Sequence, residues 1–149
     1  MSPVRQAILP FVRPLPGEPS DHMDALMRLL VPAARREIDR SGGFLPFGVS
    51  MALDGEVEML SADPSGSELE QLEDLRALAR ARAGQGELLA VGVCSDVNVA
   101  GRTLQAIRIE LEHRDADPVT WMVPYLNTVE ELGWGEPVPA PGERLIWPA

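Results

Sequence analysis

The apolar positions of the chain follow two different periods. Between residues 21 and 41, Met23, Met27, Leu30, Ala34 and Ile38 recur at helical spacing. Ser20 and Asp21 offer N-cap oxygens, and Gly42-Gly43 supplies a left-handed stop. Pro32 inside this run either kinks one helix or opens a second at its first turn. The period then drops to two. Phe47, Val49, Met51 and Leu53 alternate with smaller residues, and Val57 and Met59 alternate with Glu56 and Glu58. Asp54-Gly55 between these runs predicts a hairpin closed by a type I′ turn.

Residues 67–84 return to the helical period. Ser65 with Glu68, or Ser67 with Glu70, fits a capping box, and acidic residues crowd the start while arginines gather at the end. Leu69, Leu72, Leu75 or Arg76, Ala79 and Ala83 form the expected buried stripe. Three strand-like runs follow, "ELLAVGVCSDVNV", "TLQAIRIELEHR" and "VTWMVPYLN". "TVEELG" reads as one helical turn, "GEPVPAPGE" as an irregular connection and "RLIWP" as a docked apolar segment or edge strand. The order α-β-β-α-β-β-β predicts an α+β domain over residues 20–149. Its expected sheet is five-stranded and mainly antiparallel, with the helices on one face. Residues 1–19 read as a proline-rich N-terminal arm.

The expected register follows from a three-residue loop, Val99-Ala100-Gly101. It sets Leu89 against Leu111, Val91 against Ile109 and Val93 against Ile107. A second three-residue loop, Asp115-Ala116-Asp117, brings Tyr125, Val123 and Trp121 beside Ile107, Ile109 and Leu111. His113 then falls at the rim of the core face, beside Glu87 and Val119, where its substitution by alanine is expected to cost at most about 1 kcal/mol. Cys94 falls on the opposite face, which excludes a Cys94–His113 nucleophile–base pair. That outer face carries Leu88, Ala90, Leu104, Ala106 and Met122, too apolar for a solvated face, and these are the interface candidates.

Composition narrows the function classes. The 149 residues carry a net charge of −10, and all 13 basic residues are arginines. Scattered among 23 carboxylates, they form no positive footprint, which argues against nucleic acid and anionic membranes as partners. Prolines and arginines interrupt the first twenty residues, so no signal peptide is read there and a cytoplasmic location is expected. One cysteine and two histidines fall short of a structural zinc set, and no phosphate loop or nucleophile elbow occurs. No cofactor or metal is expected. Paired carboxylates such as Glu110 and Glu112 read as solvated surface.

"GGFLPFGVSMALDGEVEML", "AIRIELEHRDADPVTWMVPY" and the closing "LIWP" together resemble an uncharacterised family of small bacterial α+β proteins. The element order is similar to that of roadblock and longin-like scaffolds, and this resemblance implies a dimerising interaction module. The leading expectation is a non-enzymatic interaction protein, either a homodimer or the binder of another protein. The alternative is a small enzyme with a carboxylate and histidine site built from Glu87, His113 and Tyr125.

Overall fold

A computed structural model describes residues 16–98, 104–128 and 130–148. The fold is α+β. Helix α1 (Pro19–Ser41) leads into the hairpin of β1 (Phe47–Ala52) and β2 (Val57–Ser61), followed by helix α2 (Glu68–Gly84). A meander of β3 (Leu88–Asn98), β4 (Gln105–His113) and β5 (Ala116–Asn127) comes next, then two short strands, β6 (Leu132–Trp134) and β7 (Val138–Pro141). All pairings are antiparallel, in the spatial order β2-β1-β3-β4-β5-β6, with β7 pairing β5 beside β6. Among the described residues, seven strands therefore stand where five were expected. "TVEELG" supplies β6 rather than a helical turn, and "VPAP" pairs with β5 despite its prolines. Of the expected arm, residues 1–19, residues 1–15 lie outside the described residues, as does the loop proposed at Val99-Ala100-Gly101, and Pro19 already belongs to α1.

The two helices among the described residues pack on opposite faces of the sheet, not on one. α1 buries Leu26, Leu30, Ala34 and Ile38 against Val49, Cys94, Ile107, Ile109 and Leu111. α2 buries Leu75, Ala79 and Ala83 against Leu60, Leu88, Val91 and Val93. The reason lies in β3, whose run "LLAVGVC" is apolar on both sides and buried throughout. Such a strand belongs between two layers. Side-chain size assigns the layers. Small residues, Ala90, Gly92 and Cys94, face the larger leucines of α1, while Leu88, Val91 and Val93 face the alanines of α2. Gly92 is the point of closest approach: a Cβ there would lie 2.5 Å from Leu30 Cδ1 and 3.0 Å from Leu111 Cδ2.

The same size rule corrects the register. Leu111 faces Gly92, not Leu89, and Ile109 faces Cys94, so β3 has slid by three residues relative to the expected pairing. An odd slide exchanges the two faces of a strand. A β3 that is apolar on both faces does not oppose that exchange, and it brings the small side under α1. On the other side of β4, Ile107 pairs with Val123, Ile109 with Trp121 and Leu111 with Val119. This differs from the expected register by two residues, which preserves the faces.

Local signals were mostly kept. α1 runs through Pro32 as a single helix, with Pro19 in its first turn and the Glu18 N–H donating to Asp21 Oδ2 at 3.0 Å. Its C-cap Gly42 donates to the Ile38 carbonyl at 2.8 Å. Ser67 and Glu70 form the α2 capping box. Leu69 is 79% exposed, however, and Gln71 occupies the first buried position instead. The β1–β2 connection is not a type I′ turn. Only Gly55 is left-handed (φ 92°), and no other residue type has positive φ among the described residues. The Gly55 N–H donates to Ala52 O and the Ala52 N–H to Glu56 O, which makes a three-residue loop with glycine in its last position.

Gly92→Val is expected to destabilise the protein by about 1–3 kcal/mol through overpacking against Leu30. Leu30→Ala alone should cost about 2–5 kcal/mol. Because both changes act on one contact, the double variant should lose clearly less than the sum in urea denaturation; strict additivity would show that the two residues do not meet.

Candidate functional site

The residues nominated from the sequence as a catalytic group do not converge. His113 closes β4 opposite Ala90 and is fully buried. Tyr125 pairs with Gln105 at the other end of the same strand, eight residues away and thus about 26 Å along it at a rise of ~3.3 Å per residue. Glu87 precedes β3 and lies 3.9 Å from Arg82 of α2. Cys94 shares the α1 face with His113 after all, because of the slide in register, but it pairs with Ile109, four residues from the histidine. Burial, with Asp96 nearby, pushes the Cys94 thiol well above its usual range, as expected of an inert apolar side chain.

The polar groups instead form three separate centres. At one end of β4 the two histidines meet. His113 Nε2 lies 3.0 Å from His22 Nδ1, His22 Nε2 lies 3.1 Å from the Pro16 carbonyl, and the Asp115 N–H donates to His113 Nδ1 at 2.9 Å. A carbonyl can only accept, so His22 carries its proton on Nε2 and accepts on Nδ1. His113 must then donate from Nε2 and accept on Nδ1, as the Asp115 contact requires. All four ring nitrogens are satisfied with both rings neutral. The sequence contained a signal for this pair: His22 begins the strict four-residue stripe His22, Leu26, Leu30, Ala34 and Ile38, all buried. The rim position expected for His113 gives way to a core position because the register places it under the first turn of α1.

Next to it, Glu112 points to the α2 face and is also buried. Its carboxylate accepts the backbone N–H groups of Leu145, Ile146 and Trp147 at 2.7–3.1 Å. Arg144 donates to the His113 carbonyl at 3.0 Å and to the Ala116 carbonyl. Three successive amides turned toward one carboxylate form an anion-binding nest made by the chain for itself. "RLIWP" is thus held without being a strand. A buried carboxylate with charge-assisted bonds explains why Glu112 is not the solvated residue it resembles.

At the far end of β4, the Tyr125 hydroxyl donates to Asp96 Oδ1 at 2.5 Å. Burial raises the Asp96 carboxyl, against the opposing effect of Tyr125 and the Phe44 N–H, and burial next to Asp96 raises the Tyr125 phenol. The Tyr125 ring packs on Trp134, over which the Arg35 guanidinium stacks at 4.7 Å.

The interface candidates are divided by the fold. Leu88 and Ala106 are buried, as is Ala90, which lies on the opposite side of β3 from Leu88. A register shift between Met51 and Ala52 separates them. Leu104 and Met122 are half-buried. Exposed large apolar side chains are scattered at Leu29, Leu69, Leu78 and Val138 and lie side by side along β2. Val57 is 44%, Met59 62% and the neighbouring Leu45 52% exposed. Met59 and Leu45 line a shallow groove of about 610 Å³ together with Ala33, Phe44, Pro46 and Phe47. Among the described residues, no cluster of side chains is arranged to hold a metal ion and no helix is long and apolar enough to cross a membrane.

Two outcomes test these centres. Burial, with His22, Arg114 and Arg144 nearby, holds His113 below its usual pKa of 6.5, against the weaker opposing pull of Asp115. The unfolded chain therefore takes up the proton first. Stability contributed by the neutral ring is present above pH 6.5 and is lost as pH falls toward the depressed folded value, with a slope approaching about 1.4 kcal/mol per pH unit. His113→Gln should remove that contribution to the slope in urea denaturation across pH 5–8, and cost about 1–3 kcal/mol at pH 8; an unchanged slope would show that the fold does not hold His113 neutral. Glu112→Gln should weaken the nest by about 1–3 kcal/mol and accelerate amide exchange selectively at Leu145, Ile146 and Trp147. Protection retained at those amides would count against the latch.

Comparison of the chain with protein-family models, with curated proteins and with solved structures returns no match, so a functional reading rests on this geometry.

Proposed function

We propose that the protein is a non-enzymatic interaction module that forms a homodimer through the free edge of β2. The observation that carries this reading is the difference between the two edges of the sheet. The β5 edge is covered by β6 and by β7, and β7 bears Pro139 and Pro141. Prolines and short strands are the usual protection of an edge. β2 pairs only with β1 among the described strands, has no proline, and exposes Val57 and Met59 beside Leu45.

A second copy is the occupant that fits. An antiparallel strand pair related by a twofold axis satisfies the same donors and acceptors on both partners, and isologous dimers are the commonest assemblies. With the axis near Met59, the exposed apolar side chains of both copies join on one face of a continuous sheet. Glu58, which would otherwise add like charge to the seam, is held 3.2 Å from Arg82 of its own chain. The neighbouring groove supplies further apolar area toward the total of about 1,000 Å² that a stable interface needs.

Sedimentation at micromolar concentration should show a dimer. Met59→Glu should weaken it by at least about tenfold, whereas Met122→Glu, on β5, should leave it intact. A monomeric wild type overturns the proposal. A dimer sensitive to Met122→Glu and indifferent to Met59→Glu moves the interface to the other side of the sheet.

A further inference from the structure

On the α2 face, the segment after β7 turns back over the end of β4 and encloses a cavity of about 240 Å³. Its floor is formed by β3 and β4, with α2 on one side and Ile146 above. The charges around it are unevenly used. Glu112 is saturated by the three amides of the nest. Glu110 accepts from both Nε and Nη2 of Arg76, at 3.2 and 2.5 Å. Arg108 approaches Glu110 no closer than 3.7 Å, its side chain is 46% exposed, and its guanidinium makes no hydrogen bond among the described residues. Thr120, paired across the strands with Glu110, has a hydroxyl without a hydrogen-bond partner among the described residues. The cavity thus holds one guanidinium fork and one hydroxyl with free donors, beside an apolar floor of Val91 and Val93.

We propose that this cavity is a binding site for a small monocarboxylate with an apolar body, its carboxylate on Arg108 and Thr120 and its body on Val91, Val93 and Ile146. The planar fork of arginine matches a carboxylate in two parallel bonds. The volume holds about eight water-sized groups at ~30 Å³ each, which sets the size of the ligand. Arg108 reaches Glu110 only at 3.7 Å through Nε, which leaves its hydrogen-bond donors to one carboxylate. Glu110 and Glu112, with Glu143 at the rim, disfavour a second one. The site is independent of the β2 edge.

The test uses calorimetric titration of the full chain with benzoate and with 4-methylpentanoate, and with benzamide as the uncharged match to benzoate. At least one carboxylate should bind saturably, with benzamide at least about tenfold weaker than benzoate wherever benzoate binds. Arg108→Met should lose about tenfold or more of that affinity and Thr120→Val about threefold. Both side chains are at least partly solvent-facing, so their variants should melt like the wild type, and the melting curve is recorded for each. Failure of both carboxylates to saturate in the millimolar range overturns the proposal. So does unchanged affinity in Arg108→Met, or benzamide binding as tightly as benzoate.

Discussion

The contact between Leu30 and Gly92 sets the spacing on which the rest of the fold depends. A helix can settle on a sheet only as closely as the side chains between them allow. By withdrawing the side chain at Gly92, flanked by Ala90 and Cys94, β3 lets α1 lie deep in the sheet. That depth brings His22 to His113. It also commits β3 to present Leu88, Val91 and Val93 to the other side, where the alanines of α2 accept them. One strand therefore fixes the depth of both helices through the alternation of small and large residues along its length.

Much of the secondary structure was legible in the sequence, since caps, turns and periods are local. The Ser67–Glu70 box, the stop after Ser41 and the Asp-Gly hairpin all rest on residues near one another in the chain. Register was not legible. Hydrophobicity alone does not choose between the faces of "LLAVGVC"; the choice is made by size complementarity with a helix some sixty residues earlier. The same holds for the polar residues. In sequence, Glu112 and Glu110 look alike. In the fold, one is enclosed by backbone amides and the other shared between arginines, because the returning chain happens to cross only the first. His22 could have been recognised from its place in the four-residue stripe, but its partner could not be inferred until the end of β4 was located.

The buried polar groups act as positioning devices. Each joins segments distant in sequence: the first turn of α1 to the end of β4, the segment after β7 to β4, and the end of β3 to that of β5. Buried polar groups with complete sets of partners favour one arrangement over its neighbours, since a slipped pairing leaves donors and acceptors unsatisfied at about 1–3 kcal/mol each. This specificity matters most where β3, apolar on both faces, provides little discrimination of its own.

Glu112 and His113 are adjacent in β4 and point to opposite faces. One holds the chain at Leu145–Trp147 and the other, through His22, the chain at Pro16. The beginning and the end of the described fold thus converge on a single pair of neighbouring residues. A pulling force applied between Pro16 and Trp147 therefore meets both latches at the tip of one strand, alongside the packing of α1 and of Ile146 on the two faces of the sheet.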